Sequence, residues 1–293
     1  MGASAVSVKV FLACGHESQR GEALSGLGLG AAAFPVGRQL SEAVSAALSL
    51  PAGLVCVVPM TLGRDPRLIS ECARTLRWAG AESDHRAVLS APFGTVEHLT
   101  GWLRSAALRF DRESAAERGL LIAGPTGDPF DDAELFRVAR LVRQYGQYRL
   151  VEVALSGGDP DVDEGIERLA LLGAERVGLL SAGFGSVHYS PEHRSVRVDD
   201  AGPLLGAPMI SEVVRARVAA ALEGLSHGDN GIASGLDAEH GHGYAHSHGP
   251  DTHSHAHSHS HSHSHSGTHR EPQESGHHHD HDHHHDHDHA ESH

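Results

Sequence analysis

The sequence predicts an α/β protein with two duplicated lobes, each a parallel sheet flanked by helices, followed by a disordered His-rich tail. Three observations predict this. Short, continuous apolar runs such as Leu54-Val55-Cys56-Val57-Val58 read as parallel strands buried on both faces. They alternate with longer stretches of helical periodicity, the pattern of βα units. The pattern then restarts half-way: a strand-end glycine is followed by a Pro-apolar-Gly turn and an amphipathic helix, with 77 positions from Gly15 to Pro92 and 79 from Gly124 to Pro203. Leu99, Leu103 and Ala107 fall opposite Ile210, Val214 and Val218 at one constant offset, the mark of an internal repeat. The boundaries that follow are residues 1–115 and 116–225 for the two lobes and 226–293 for the tail.

In the first lobe, residues 6–13 are rich in β-branched and apolar side chains and run as a strand into Gly15-His16. The Gly-rich segment 21–37 does not follow a strand as a dinucleotide loop requires. A short helix fits 41–48, and a strand at 54–59 ends in Pro59. A helix over 66–79 starts with Pro66 in its first turn. A short strand at 86–89 precedes the turn at Pro92 and a helix from Val96 to near Arg112, apolar at Val96, Leu99, Leu103, Ala106 and Phe110. In the second lobe, strands fit 119–124, 149–155, 176–180 and 195–198. Helices fit 131–145, 161–172 and 211–225.

Composition narrows the function. Residues 226–293 hold most of the 28 histidines and few aliphatic side chains, so they offer little apolar surface to offset the entropy of ordering. They also carry 11 acidic residues against Arg270 alone, a net of −10 out of the chain's −15. The remainder, near −5, has no basic footprint for nucleic acid. Cys14, Cys56 and Cys72 are too scattered for a disulfide framework or a Cys-x-x-Cys site. No apolar run is long enough to span a bilayer, and the N-terminus lacks the features of a secretory signal, so the cytoplasm is the expected compartment.

His16 is the leading candidate for chemistry. It sits just past a strand's carboxyl end, where open α/β sheets bind ligands. An imidazole there can accept protons, ligate a borderline metal, or do both, and it would equally serve to bond a turn.

The order and spacing of these motifs resemble the class II tetrapyrrole chelatases, the family of sirohydrochlorin cobaltochelatases and ferrochelatases. Leu12-Ala13-Cys14-Gly15-His16-Glu17-Ser18 is close to the family's Gly-His-Gly-Ser, and Val57-Val58-Pro59-Met60-Thr61-Leu62-Gly63 is like its strand-Pro-apolar segment. Gly127-Asp128-Pro129-Phe130-Asp131-Asp132 is like the opening of its second half, and the turn-plus-helix segments at Pro92 and Pro203 are similar to family features. The resemblance implies ATP-independent insertion of a divalent metal into sirohydrochlorin, for cobalamin or sirohaem synthesis, with the metal as substrate and no organic cofactor. It implies cobalt most readily, with nickel or iron as alternatives, and His16 as both base and metal ligand. Its partners would be the tetrapyrrole and metal ions, with neither nucleic acid nor membrane. Carboxylates of the macrocycle call for cations, and Arg64, Arg67 and Arg74 are the candidates; Arg67 and Arg74 share a helical face, which would equally suit a solvated surface.

Two departures stand out. Glu17 replaces a glycine of the family motif, and no histidine lies in 62–66, where the family's second one is expected. The substitutes are His85 as a metal ligand, and His188, Glu192 or His193 from a loop of the second lobe, with His188 and Glu192 as catalytic partners across the cleft. A second reading is therefore a non-catalytic metal store or metallochaperone on a degenerate chelatase fold.

The tail supports either reading. His253, His255, His257, His259, His261, His263 and His265 alternate with small residues, and His277, His278, His279 and His281 open a second cluster broken by Asp. An extended alternating chain places successive imidazoles on one side, suiting nickel, cobalt, zinc or copper. Binding needs neutral imidazole and should weaken below about pH 6.5.

Overall fold

A computed structural model describes residues 8–50, 53–80, 86–110, 116–190 and 196–240. The first lobe holds β1 (Val8–Cys14), β2 (Ala32–Pro35), α1 (Arg38–Leu48), β3 (Leu54–Met60), α2 (Pro66–Trp78), β4 (Ala87–Leu89) and α3 (Val96–Ala107). The second holds β5 (Arg118–Pro125), α4 (Pro129–Gln144), β6 (Val151–Ser156), α5 (Val162–Leu171), β7 (Arg176–Ser181), β8 (Arg197–Asp200) and α6 (Ala207–Ser226), and a short helix α7 (Ile232–Leu236) follows. Two four-stranded sheets result, ordered β2-β1-β3-β4 and β6-β5-β7-β8, with every pairing parallel. The second sheet repeats the topology of the first, as the doubled pattern predicts.

Both faces of each sheet are buried, which is why the strands read as apolar runs without polar alternation. In the first sheet Phe11, Ala13, Val55 and Val57 face outward into a core with α1 and α2, while Leu12, Cys56, Val58 and Met60 face inward. Leu120, Ile122, Val153 and Leu155 of the second sheet face the same inner core, and Leu121, Ala123 and Ala154 pack outward with α5. The inner core is filled by α3, α4 and α6, through Leu99, Leu103, Leu135, Val138, Ile210 and Val214. Two of these helices change partners: α3, which follows the first sheet, packs on β7 and α4, whereas α6, which follows the second, packs on β3 and β4. The repeat seen in sequence between the apolar faces of α3 and α6 is thus a repeat of two exchanged helices.

Some elements depart from the expected bounds. α3 ends at Ala107 rather than near Arg112: the N–H groups of Leu108, Arg109 and Phe110 bond carbonyls three residues back instead of four, and the Arg109 side chain donates to the carbonyls of Ala201, Pro203 and Leu204. Within the Gly-rich segment, β2 adds an edge strand beside β1, and its Phe34 ring meets Phe11 edge-on at 5.4 Å. Folded chain also runs past residue 226, where the tail was expected to begin. Ile232 is fully buried in the outer core of the first lobe, Asn230 accepts a hydrogen bond from the Leu89 N–H at the edge strand β4, and Glu239 pairs with Arg74 on α2. Four apolar or small positions between 232 and 238 are enough to seat this strap, too few to show as periodicity. Residues 253–281, with the histidines singled out in the tail, lie outside the described residues.

Ile232→Ala removes a side chain from a closed apolar site. It is expected to cost about 2–5 kcal/mol in urea denaturation of the full chain. Leu171→Ala, at a position 88% exposed, should leave the midpoint unchanged.

Candidate metal centre

The strand order of each sheet changes direction beside its first strand, at β1/β3 and at β5/β7, and the crevice at such a point is where parallel sheets bind ligands. Three side chains converge there. His16 follows β1. Asp65 is the N-cap of α2, just past β3, and its Oδ1 accepts the Leu68 N–H at 2.9 Å. Asp131 comes from the first turn of α4, past β5, where it reaches back to accept the Asp128 N–H at 3.2 Å as the second half of a capping box.

His16 Nδ1 lies 3.1 Å from Asp65 Oδ2 and 3.8 Å from Asp131 Oδ2, and one ligand atom from each residue falls within 4.8 Å of the others. The other ring nitrogen, Nε2, is buried and makes no hydrogen bond among the described residues. Two glycines make the approach possible. A Cβ on Gly15 would stand 2.1 Å from Asp65 Oδ2, and one on Gly127 would stand 2.9 Å from His16 Nε2. The glycine that ends the first strand is therefore required by a carboxylate 50 residues further along.

Burial and charge tune the cluster toward neutrality. Burial pushes the Asp131 carboxyl from an ordinary 3.8 up to about 6, with the Asp65 and Asp128 charges adding to the rise. Burial disfavours the His16 cation, but the Asp65 hydrogen bond and the Glu17 and Asp65 charges outweigh it and hold its pKa above the ordinary value. Cys14 also lines the cleft, yet burial pushes its thiol up to about 11, so it stays protonated and is a poor ligand.

The cluster opens into a cleft of about 510 Å³ between the two lobes. Arg67 stands at its edge, ion-paired to Asp128 at 3.2 Å, and the exposed Arg20 stands opposite, on a backbone turned left-handed at Gln19 and Arg20. Such a conformation is costly for side chains bearing a Cβ and is concentrated at sites that use it.

Several expected site residues lie elsewhere. Arg64 is fully buried and closed to substrate: its Nη atoms donate to the Pro125 and Asp131 carbonyls, and its Nε, without a hydrogen bond among the described residues, faces Glu17 Oε1. Arg74 faces the strap, held by Glu239 and the Ser70 hydroxyl, and does not line the cleft. His188 is exposed and belongs to neither cluster nor cleft lining. His85, Glu192 and His193 lie outside the described residues. Asp65, Asp131 and Arg20 went unread in the sequence. The two aspartates did leave a trace: Asp65-Pro66 and Asp128-Pro129 are cap-plus-proline helix starts, each just past a strand end.

No family model and no curated protein matches the chain. Among solved structures the chain is similar to SirB from Bacillus subtilis with Fe3+, with 13% identity and a TM-score of 0.46 over 76% of this chain and 98% of that one. It is similar also to the sirohydrochlorin chelatase SirB from Bacillus subtilis subspecies spizizenii in complex with cobalt, at 12% identity and a TM-score of 0.44 over 76% and 97%. DR2241 from Deinococcus radiodurans, a multi-domain protein with structural similarity to chelatases, gives 17% identity and a TM-score of 0.45 over 73% of this chain and 55% of that one. At these scores the reading of the site rests on its own geometry.

Two outcomes test that geometry. Because the folded state holds the Asp131 proton more tightly than the unfolded chain, the metal-free protein should lose stability as pH rises from 3.8 through about 6. His16, also raised, should add a further loss above its ordinary 6.5. Chemical denaturation across this range checks both losses, and Asp131→Asn should flatten the first. Gly15→Ala should drive Asp65 away from His16 and weaken Co2+ binding by about tenfold or more in a chain ending at residue 240, read by equilibrium dialysis.

Proposed function

We propose that the cleft inserts a divalent transition metal, with cobalt as the leading candidate, into a tetrapyrrole of the sirohydrochlorin type. One observation carries the reading: an imidazole and two carboxylates from both lobes, within 4.8 Å of one another, lie at the floor of a cleft large enough for an organic ligand. One imidazole with two carboxylates is a borderline-to-hard donor set that suits first-row divalent ions and leaves positions open. An incoming cation would take the place of the proton shared between His16 Nδ1 and Asp65.

Insertion exchanges one divalent cation for two pyrrole N–H protons. Acceptors poised near neutrality are therefore needed beside the metal. His16 and Asp131 supply them, since each has its proton affinity raised into the working range of a general base. Arg20 and Arg67 at the cleft edge are placed to meet the carboxylates of the macrocycle, a role Arg performs through its planar fork. In this reading the carboxylate pair stands in for the second histidine that the resemblance implies. The His-rich tail serves as a reservoir of metal. Among the described residues no helix is long and apolar enough to cross a membrane.

The test is anaerobic absorbance of sirohydrochlorin with Co2+, Ni2+ or Fe2+. Conversion above the metal-only rate is expected in the full chain and in a chain ending at residue 240. In His16→Ala and Asp65→Ala the rate should fall by about 10²-fold or more, the usual size of a lost acid–base group. If no metal gives acceleration while the tail still binds ions, the enzyme reading fails and a metal-holding protein remains.

A further inference from the structure

We propose that Glu17 and Arg64 are positioning residues: a buried ion pair of the first lobe, tied by further hydrogen bonds to the second, that sets the spacing of His16, Asp65 and Asp131. The proposal rests on the reading of those three as the metal-handling cluster. Glu17 adjoins His16 in the chain, and Arg64 adjoins Asp65. Their side chains are 1% and 0% exposed, with Arg64 Nε 3.5 Å from Glu17 Oε1.

Each partner is then tied further. Glu17 Oε2 accepts from the Thr61 hydroxyl and from the Leu62 N–H at 3.0 Å, and the Glu17 carbonyl accepts the Phe184 N–H of the second lobe at 3.1 Å. Arg64 Nη2 donates to the Pro125 carbonyl at 3.0 Å, and Nη1 to the carbonyl of Asp131 itself at 3.4 Å. One guanidinium thus reaches all three arms of the cluster, through Glu17 to His16, through its own backbone to Asp65, and directly to Asp131.

Stability alone is a weak reason for such a pair. Desolvating two charges costs several kcal/mol, and well-packed apolar residues of similar volume often fold as well or better. What an apolar pair lacks is direction. The rigid fork of Arg fixes where two carbonyls of the second lobe stand relative to the first, and Lys, a single point charge on a flexible stem, would not. Glu17 stands at the position where the resembled motif has glycine, so the device belongs to this chain.

The test uses the full chain carrying Arg64→Lys, or the paired Glu17→Leu and Arg64→Met. Each is compared with the same chain carrying His16→Ala, so that Co2+ held by the tail subtracts out of the visible absorption. Both variants should still unfold cooperatively in urea, at a midpoint lowered by the buried hydrogen bonds lost, while His16-dependent Co2+ affinity falls by about tenfold or more. A second readout needs no metal: the downfield proton resonance of His16 Nδ1–H, hydrogen-bonded to Asp65, should be present in wild type and lost in Arg64→Lys. A folded variant that keeps both the affinity and the resonance overturns the proposal. If wild type has no His16-dependent Co2+ at all, the metal reading fails instead, and the resonance alone decides whether the pair positions His16.

Discussion

The constraint on which the rest depends is the shared inner core. Each sheet turns one face to the same inner core, and α3 and α6 are each contributed by one lobe and packed against the other. Neither lobe can bury its inner face without its neighbour's helix. The edge-to-face contact of Phe93 with Phe184, with ring centroids 5.1 Å apart, and the Arg217 guanidinium on the Phe93 carbonyl bind the same seam. The two strand carboxyl ends are thereby held facing one another. A cleft between them is a consequence of how the apolar surface is buried.

That cleft is polar where the core is not, and the transition is built from helix starts. Asp65 and Asp131 first satisfy backbone N–H groups in the opening turns of α2 and α4, which fixes their direction. Asp65 is then left with its other oxygen facing His16, while the one Oδ2 of Asp131 both accepts the Asp128 N–H and faces His16. Caps ordinarily serve the helix alone. Here the same carboxylates carry negative charge to one imidazole from two lobes, and burial raises the Asp131 carboxyl to about 6, so that it takes up a proton just below neutral pH. In the proposed function a proton and an incoming metal would compete for that one place.

The comparison of sequence with structure is instructive at the charged residues. Arg64, Arg67 and Arg74 are equivalent by composition and nearly so by helical spacing, yet one is sealed in the lobe interface, one edges the cleft and one anchors the strap. Periodicity tells which face of a helix a residue occupies. It does not tell what the neighbouring lobe offers to that face. Glu17 shows the same limit: as a sequence it is an unexpected anion beside His16, and as a structure it is the counter-ion of Arg64.

The sequence by itself determined the alternation of buried strands and helices, the doubling of the lobes, and His16 at the end of the first strand. These rest on local rules: continuous apolar runs, helical spacing, caps and turns are written in neighbouring residues. The tertiary structure decided which helices cross between lobes, that Ile232 and Glu239 fasten the chain after α6 back onto α2, and that His16 is met by Asp65 and Asp131 rather than by another histidine. Those depend on groups 49 and 115 positions from His16. Their approach is set by packing of the inner core and by the room that Gly15 and Gly127 leave, and neither is visible until the two sheets are brought face to face.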